Sequence, residues 1–167
     1  IQYSDNTGAF EFSEALPYAG NFTVTPSSEG LDYSNGVTTY DLVLISKHLL
    51  GWTPFNSPYK MIAADANRSG SITTLDIIEL RKLILGISEV LPNNTPWRFV
   101  DQSYVFPNPN NPFSSVFPEQ KTVTNSQGSQ FAEDFVSIKI GDVNGSAQAN
   151  HLMVAEARSE STLLFDL

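Results

Sequence analysis

The chain has 167 residues, enough for one ordinary domain or a small domain with substantial flanking segments. Its formal charge of −9 comes without any basic cluster, which argues against a nucleic-acid or anionic-membrane partner. The absence of cysteine removes disulfides, thiolate zinc sites and cysteine nucleophiles. No apolar run approaches the roughly 18 residues of a membrane span. The start Ile1-Gln2-Tyr3, with neither initiator Met nor a basic leader, reads as a mature or excised piece of a longer polypeptide.

Residues 8–12 (G-A-F-E-F) and 21–25 (N-F-T-V-T) alternate or are β-branched, and the turn residues of 16–20 separate them, which predicts a hairpin. A duplication follows. Val37 through Gly51 aligns with Ile72 through Gly86, and the acids Asp41 and Asp76 lie 35 residues apart. Each copy places T-x-x-D before an apolar run, a helix N-terminus signature, and ends on a glycine at the C′ position. Leu42, Ile45 and Leu49 form one helical stripe and Ile77, Leu80 and Ile84 its counterpart, so two short helices are expected to pack by these core faces. Between the copies, Pro54 and Pro58 leave little room for a further helix.

Before the second helix, D-A-N-R-S-G-S-I-T-T-L-D sets oxygen side chains at alternate positions. Asp65, Asn67 and Ser69 fall at positions 1, 3 and 5 of a calcium loop, and Gly70 allows the sharp turn at position 6. Ser71 offers a carbonyl at position 7, Thr73 a water at position 9, and Asp76 closes at position 12. An Asx-rich turn before a capped helix is the bland alternative, but such a turn does not require the closing acid or the apolar Ile72. Magnesium demands tighter octahedral geometry and suits the pattern less well. The first copy has the closing acid without a proper opening: counting back from Asp41 puts Gly30 at position 1, Asp32 at 3 and Ser34 at 5.

From Leu91 to about Gln130 the chain is rich in Pro, Asn and Ser, and reads as a long loop pinned over the helices by its aromatics. Trp52, Phe55, Tyr59, Trp97, Phe99, Tyr104, Phe106, Phe113 and Phe117 are expected to do the pinning; a carbohydrate platform is the other reading. Residues 135–140 (F-V-S-I-K-I) form a strand, with another expected near 162–165. Between them, 141–146 (G-D-V-N-G-S) resembles the opening half of a calcium loop. Two completions of the first site therefore stand open: Asp32 and Ser34 from the same segment, or a split site in which Asp142, Asn144 and Ser146 complete Asp41. His48 and His151 are isolated, with a surface or packing role expected. No G-x-S-x-G, P-loop, H-E-x-x-H or Rossmann fingerprint occurs, and the carboxylate pairs Glu11/Glu14 and Glu133/Asp134 read as solvated edges, so no enzyme is expected.

The duplicated loop and helix, with L-R-K-L-I-L-G closing one copy, resembles the dockerin family over roughly residues 30–87. That resemblance implies calcium and a cohesin partner, with Thr38, Thr39, Thr73 and Thr74 as partner-facing residues. Residues 7–27 resemble the last strands of carboxypeptidase-regulatory-like β-sandwich repeats. The whole layout, with W-R-F-V-D and V-S-I-K-I-G-D-V-N-G-S-A, is similar to dockerin-like regions of large secreted surface proteins of Bacteroidetes-type bacteria. The expected fold is α+β: two short packed helices, each after a calcium loop, with peripheral strands and long ordered loops. The expected division is an N-terminal strand segment (1–29), the duplicated module (30–91), a Pro/Asn-rich loop with a strand (92–150) and a C-terminal linker or strand (151–167). The leading function is a non-catalytic, calcium-stabilised module of an extracellular cell-surface or filament-forming protein, joined to neighbouring subunits or domains by terminal β-strands. The alternative is a dockerin that binds a cohesin.

Overall fold

The structure, a computed structural model of the chain, describes residues 9, 21–28, 32–124 and 134–148, with backbone alone at 21, 22 and 124. The elements in order are β1 (Asn21–Val24), α1 (Thr39–Leu49), α2 (Pro58–Ala64), α3 (Thr74–Ile84), β2 (Trp97–Asp101), β3 (Lys121–Thr124) and β4 (Phe135–Lys139), with a short 3-10 turn at Pro112–Ser114. The fold is α+β, with three helices and two small antiparallel sheets.

The duplication is obeyed to the residue. Both α1 and α3 have 11 residues, and their N-caps Thr38 and Thr73 are extended. The amides of Trp52 and Gly51 donate to the Lys47 and His48 carbonyls, and those of Ile87 and Gly86 to Lys82 and Leu83. Each helix thus closes in a Schellman motif, with Gly51 (φ 71°) and Gly86 (φ 65°) supplying the left-handed residue.

The expectation that Pro54 and Pro58 leave little room for a further helix is corrected. Only Pro54 precedes the new helix; Pro58 stands at its N1 position, where its fixed φ suits the helix and its missing N–H is no loss. The resulting α2 runs directly into Asp65. Its buried face is Met61, Ile62, Ala63 and Ala64. The two alanines let β4 approach closely, and the Gly141 amide after β4 donates to the Ala63 carbonyl at 2.8 Å.

The core joins these pieces. Ile45 of α1, Ile62 of α2, Leu80 of α3, Val100 of β2 and Ile140 and Val143 after β4 are all but fully buried, each contributing about 1.5–3 kcal/mol of transfer free energy. The predicted helical stripes need one correction. Leu49 is 37% exposed, and Ile77 and Ile84 are only partly buried, while Leu83 is fully inside. Ile77 and Ile84 line the open groove between α1 and α3, so only part of the α3 stripe faces the core.

The long 91–130 segment contains two strands that its Pro and Asn content hid. β2 pairs with β4 from Trp97↔Lys139 to Asp101↔Phe135. β3 pairs with β1 from Val24↔Lys121 to Asn21↔Thr124. Among the described residues β1 therefore finds β3 as its neighbour; its expected hairpin partner, 8–12, is described at Ala9 alone, and the strand at 162–165 lies outside them. The aromatics do pin this segment: Phe106 sits 5.0 Å from Tyr104, 5.7 Å from Tyr59 and 5.9 Å from Phe117, ring centre to ring centre. Trp52 is an exception, standing 75% exposed.

Gly141 has φ 91°, and a Cβ there would lie 2.6 Å from Leu80 Cδ2 and 3.0 Å from Val37 Cγ2. Gly141→Ala should destabilise the fold by roughly 3 kcal/mol, from strain and overpacking together. Urea unfolding is the check, and an unchanged midpoint would contradict this account of how β4 joins the helices.

Candidate metal centre

The 65–76 loop begins where α2 stops. Asp65 is the C-cap of α2, with φ −79° and ψ 74° turning the chain off the helix. Two left-handed residues then fold the loop back, Arg68 (φ 56°) and Gly70 (φ 76°). Glycine takes this conformation freely, whereas an arginine pays about 1–2 kcal/mol. Arg68 is held by an ion pair, Nη2 to Glu119 Oε2 at 3.2 Å. Glu119 is itself fixed by the Arg98 fork, Nε to Oε1 at 2.8 Å and Nη2 to Oε2 at 2.9 Å.

The loop converges on its two acids. Asp65 accepts from the Ser69 amide through Oδ1 (2.8 Å) and from the Gly70 amide through Oδ2 (2.8 Å). Asp76 accepts from the Asn67 amide through Oδ1 (3.1 Å), and from the Thr73 amide (2.7 Å) and hydroxyl (3.1 Å) through Oδ2. Asn67 Oδ1 accepts from the Ser69 amide, and Ser69 Oγ donates to the Ser71 carbonyl at 3.1 Å. Six expected residues, Asp65, Asn67, Ser69, Ser71, Thr73 and Asp76, are thus brought into one hydrogen-bonded turn. The N-cap Thr73 serves both the loop and α3.

Asp65 and Asp76 are 1% and 0% exposed. Among the described residues the ion pairs involve Glu79, Asp101 and Glu119, and none reaches these two acids. Burial raises the Asp65 pKa above its ordinary value, and the charge of Asp76 raises it further against the lowering donated bonds of Gly70 and Ser69. Buried carboxylates without a cation are costly, and a cation bound between them removes both the desolvation penalty and the repulsion. Among the described residues no three of His, Cys, Asp and Glu converge. The loop instead adds amide, hydroxyl and carbonyl oxygens to two carboxylates, a hard, all-oxygen donor set that suits calcium rather than zinc.

The first copy is arranged differently from a contiguous loop. Asp32 is exposed, and its Oδ1 accepts from the Ser34 amide and hydroxyl and the Asn35 amide, closing its own turn. No described contact carries Asp32 or Ser34 to Asp41; Gly30 lies outside the described residues. Asp41 is fully buried, and its Oδ1 accepts from the amides of Val143 (3.0 Å) and Asn144 (3.2 Å). The 142–146 turn, about a hundred residues downstream, is therefore the segment that meets Asp41.

Residues 31–85 match the family model of the dockerin type I domain. This stretch is a dockerin-like region. Dockerin type I domains are calcium-binding, non-catalytic modules, typically extracellular, that bind cohesin domains. No curated protein and no solved structure matches the chain. Among the described residues no helix is long and apolar enough to cross a membrane.

Of the residues expected to face a partner, Thr38 and Thr73 direct their hydroxyls to Asp41 and Asp76. Thr39 and Thr74 are exposed. His48 packs rather than reacts: its ring stacks on Phe55 at 4.5 Å, its Nδ1 accepts from the Phe55 amide, and burial lowers its pKa. His151, Glu11, Glu14 and Glu133 lie outside the described residues.

Sequence reasoning missed Asn94. It is 6% exposed, and its Nδ2 donates to the Asp65 carbonyl at 3.0 Å and the Ala66 carbonyl at 3.4 Å. It fixes the backbone at position 1 of the loop from outside the repeat. Nothing in the local P-N-N-T pattern distinguishes it from a turn residue. Asn94→Ala leaves the Ala66 carbonyl without its side-chain donor and the Asp65 carbonyl with the Arg68 amide alone, so stability should fall by about 1–2 kcal/mol, and calcium affinity with it. Urea unfolding with calcium and with EDTA tests this; equal curves for variant and wild type would show that Asn94 does not hold the loop.

Proposed function

We propose that the chain is a non-catalytic docking module that calcium folds and rigidifies, and that it carries an apolar face for a protein partner. The calcium reading rests on the 65–76 loop, with Asp65, Asn67, Ser69, the Ser71 carbonyl and Asp76 as ligands and Thr73 holding a water. Bound there, calcium supplies the positive charge that the two buried acids lack and stiffens the start of α3.

The docking reading is carried by one observation: within the repeat, exposed apolar residues come in pairs that obey the duplication. Tyr40 and Leu75 are each 58% exposed, Leu50 and Leu85 each 63%, and Val43 pairs with Ile78 in the same way. Trp52 and Ile87, which follow the two helix-ending glycines, are the most exposed of these pairs. Between α1 and α3 a groove of about 510 Å³ is lined by Leu42, Val43, Leu50, Trp52, Ile77 and Leu85, with Lys47 and Arg81 also in its walls. Apolar patches of this kind on a small domain mark interaction sites. These two cations in the groove walls favour a partner whose apolar face is edged by carboxylates. A cohesin-like β domain of that character is the partner we assign, in an extracellular setting where calcium is abundant. Assembly through terminal strands, the other expectation, depends on segments 10–12 and 163–165, outside the described residues.

Two measurements test this reading. Calcium should raise the melting temperature of the chain, and Asp76→Ala should remove most of that rise; a melt indifferent to calcium would end the metal reading. Calorimetric titration with isolated cohesin domains should give calcium-dependent binding. That binding should be lost in the Leu50→Glu/Leu85→Glu double variant while its calcium-induced stabilisation persists. Cohesin binding unaffected by both charges would place the docking face elsewhere.

A further inference from the structure

The first copy of the repeat has a closing acid and no opening, while the 142–147 turn has an opening and no closing acid. Hydrogen bonds join the two segments, and five of the bonds around them have a counterpart in 65–76, while the Val143 amide to Asp41 and the Asn144 and Gly145 amides to Asp142 Oδ1 have none. Asp76 takes the Thr73 amide and hydroxyl on Oδ2; Asp41 takes the Thr38 amide (2.9 Å) and hydroxyl (2.8 Å) on Oδ2. Asp76 Oδ1 accepts from the position 3 amide, Asn67; Asp41 Oδ1 accepts from Asn144. Asp65 Oδ2 accepts from the amide five residues on, Gly70; Asp142 Oδ2 accepts from Ala147 at 2.6 Å. Ser69 Oγ donates to the carbonyl at position 7, Ser71; Ser146 Oγ donates across the chain to Gly36, at 3.0 Å. Gly36 stands 35 residues before Ser71, at the matching place in the repeat.

The break between the two segments falls at positions 6 and 7, where Ala147 meets Gly36. Their backbones touch so closely that a Cβ on Gly36 would lie 2.5 Å from Ala147 Cα. Asn35 seals the junction, its Nδ2 donating to the Gln148 carbonyl at 2.8 Å. Asp41 and Asp142 are 0% and 7% exposed and have no ion pair among the described residues. Lys139 is the nearby cation, but its Nζ donates to the Tyr33 (2.7 Å) and Ile140 (3.3 Å) carbonyls rather than to either acid. One ammonium also cannot balance two carboxylates. The Asn144 side-chain amide has no hydrogen-bond partner among the described residues, although its backbone amide has two.

We propose that Asp142, Asn144, Ser146, the Gly36 carbonyl and Asp41 form a second calcium site, split across the chain, that clamps the end of β4 onto the start of α1. The proposal rests on the calcium reading of the 65–76 loop and extends it. It makes the calcium-dependent unit larger than the dockerin-like segment, because half of one site lies beyond residue 140. β4 takes the place that α2 has in the second copy, as the element that enters the loop.

Calcium binding to the full chain, followed by calorimetry at low ionic strength, tests it. Wild type should bind two equivalents, Asp76→Asn one, Asp142→Asn one, and Asp32→Asn two. Asn144→Ala removes a side chain that bonds to none of the described residues, so it should fold normally. It should weaken one of the two sites by about tenfold or more. A single equivalent in wild type, lost in Asp76→Asn and kept in Asp142→Asn and Asn144→Ala, would overturn the split site and leave the second loop standing. Two equivalents that fall to one in Asp32→Asn but not in Asn144→Ala would overturn it in favour of a contiguous first loop. No binding by any chain would overturn both readings.

Discussion

Three aspartates, Asp41, Asp65 and Asp76, lie fully buried without an ion-pair partner among the described residues, and the rest of the module is arranged around them. A carboxylate inside a protein is tolerated only when its lone pairs are met and its charge is balanced. Backbone amides and threonine hydroxyls meet the lone pairs here. They supply partial charges only, and no cationic side chain among the described residues balances the full negative charge. That demand connects sequence to fold. Two of these acids, Asp41 and Asp76, also cap α1 and α3, so the turn that holds each acid and the start of its helix are one structure.

The supports around the acids come from parts of the chain that carry no metal motif. Asn94 holds the backbone at Asp65, and Glu119 ties the strained Arg68 to Arg98 on β2. The β2–β4 pair carries the 142–147 turn to Asp41, and Gly141 allows β4 to close against α2 and the Val37–Leu80 contact. The long segment after the helices is therefore part of the frame. Its aromatic cluster around Phe106 and Phe117, with Arg98 stacked 4.7 Å over Phe117, packs that frame against the helices. Among the described residues the opposite side of α1 and α3 is apolar and exposed, and it is the face we propose for a partner.

Much of this was legible in the residues. The 35-residue offset predicted both helices, their capping acids and their terminal glycines, because these signals are local and strong. The dockerin resemblance agrees with the family match over 31–85. Other features were not legible for physical reasons. Pro58 looks like a breaker in a string of residues, yet it is a good first residue of α2. W-R-F-V-D is short and flanked by turn residues, and it becomes a strand only because β4 offers an edge. The stripe that predicted Leu49 as core could not tell which of its turns the neighbouring elements cover. Asn94 and Glu119 act through contacts 29 and 51 residues away in sequence, which no local pattern encodes.

The central claim, that cation binding at buried acids organises both helices, is tested most directly by amide hydrogen exchange on the full chain with calcium and after chelation. The amides to follow are those that donate to the carboxylates: Asn67, Ser69, Gly70 and Thr73 in one loop, and Thr38, Val143, Asn144 and Ala147 in the other. The account predicts that calcium slows exchange in both groups together with α1 and α3, and that chelation releases them. Exchange at these amides that is the same with and without calcium would contradict it.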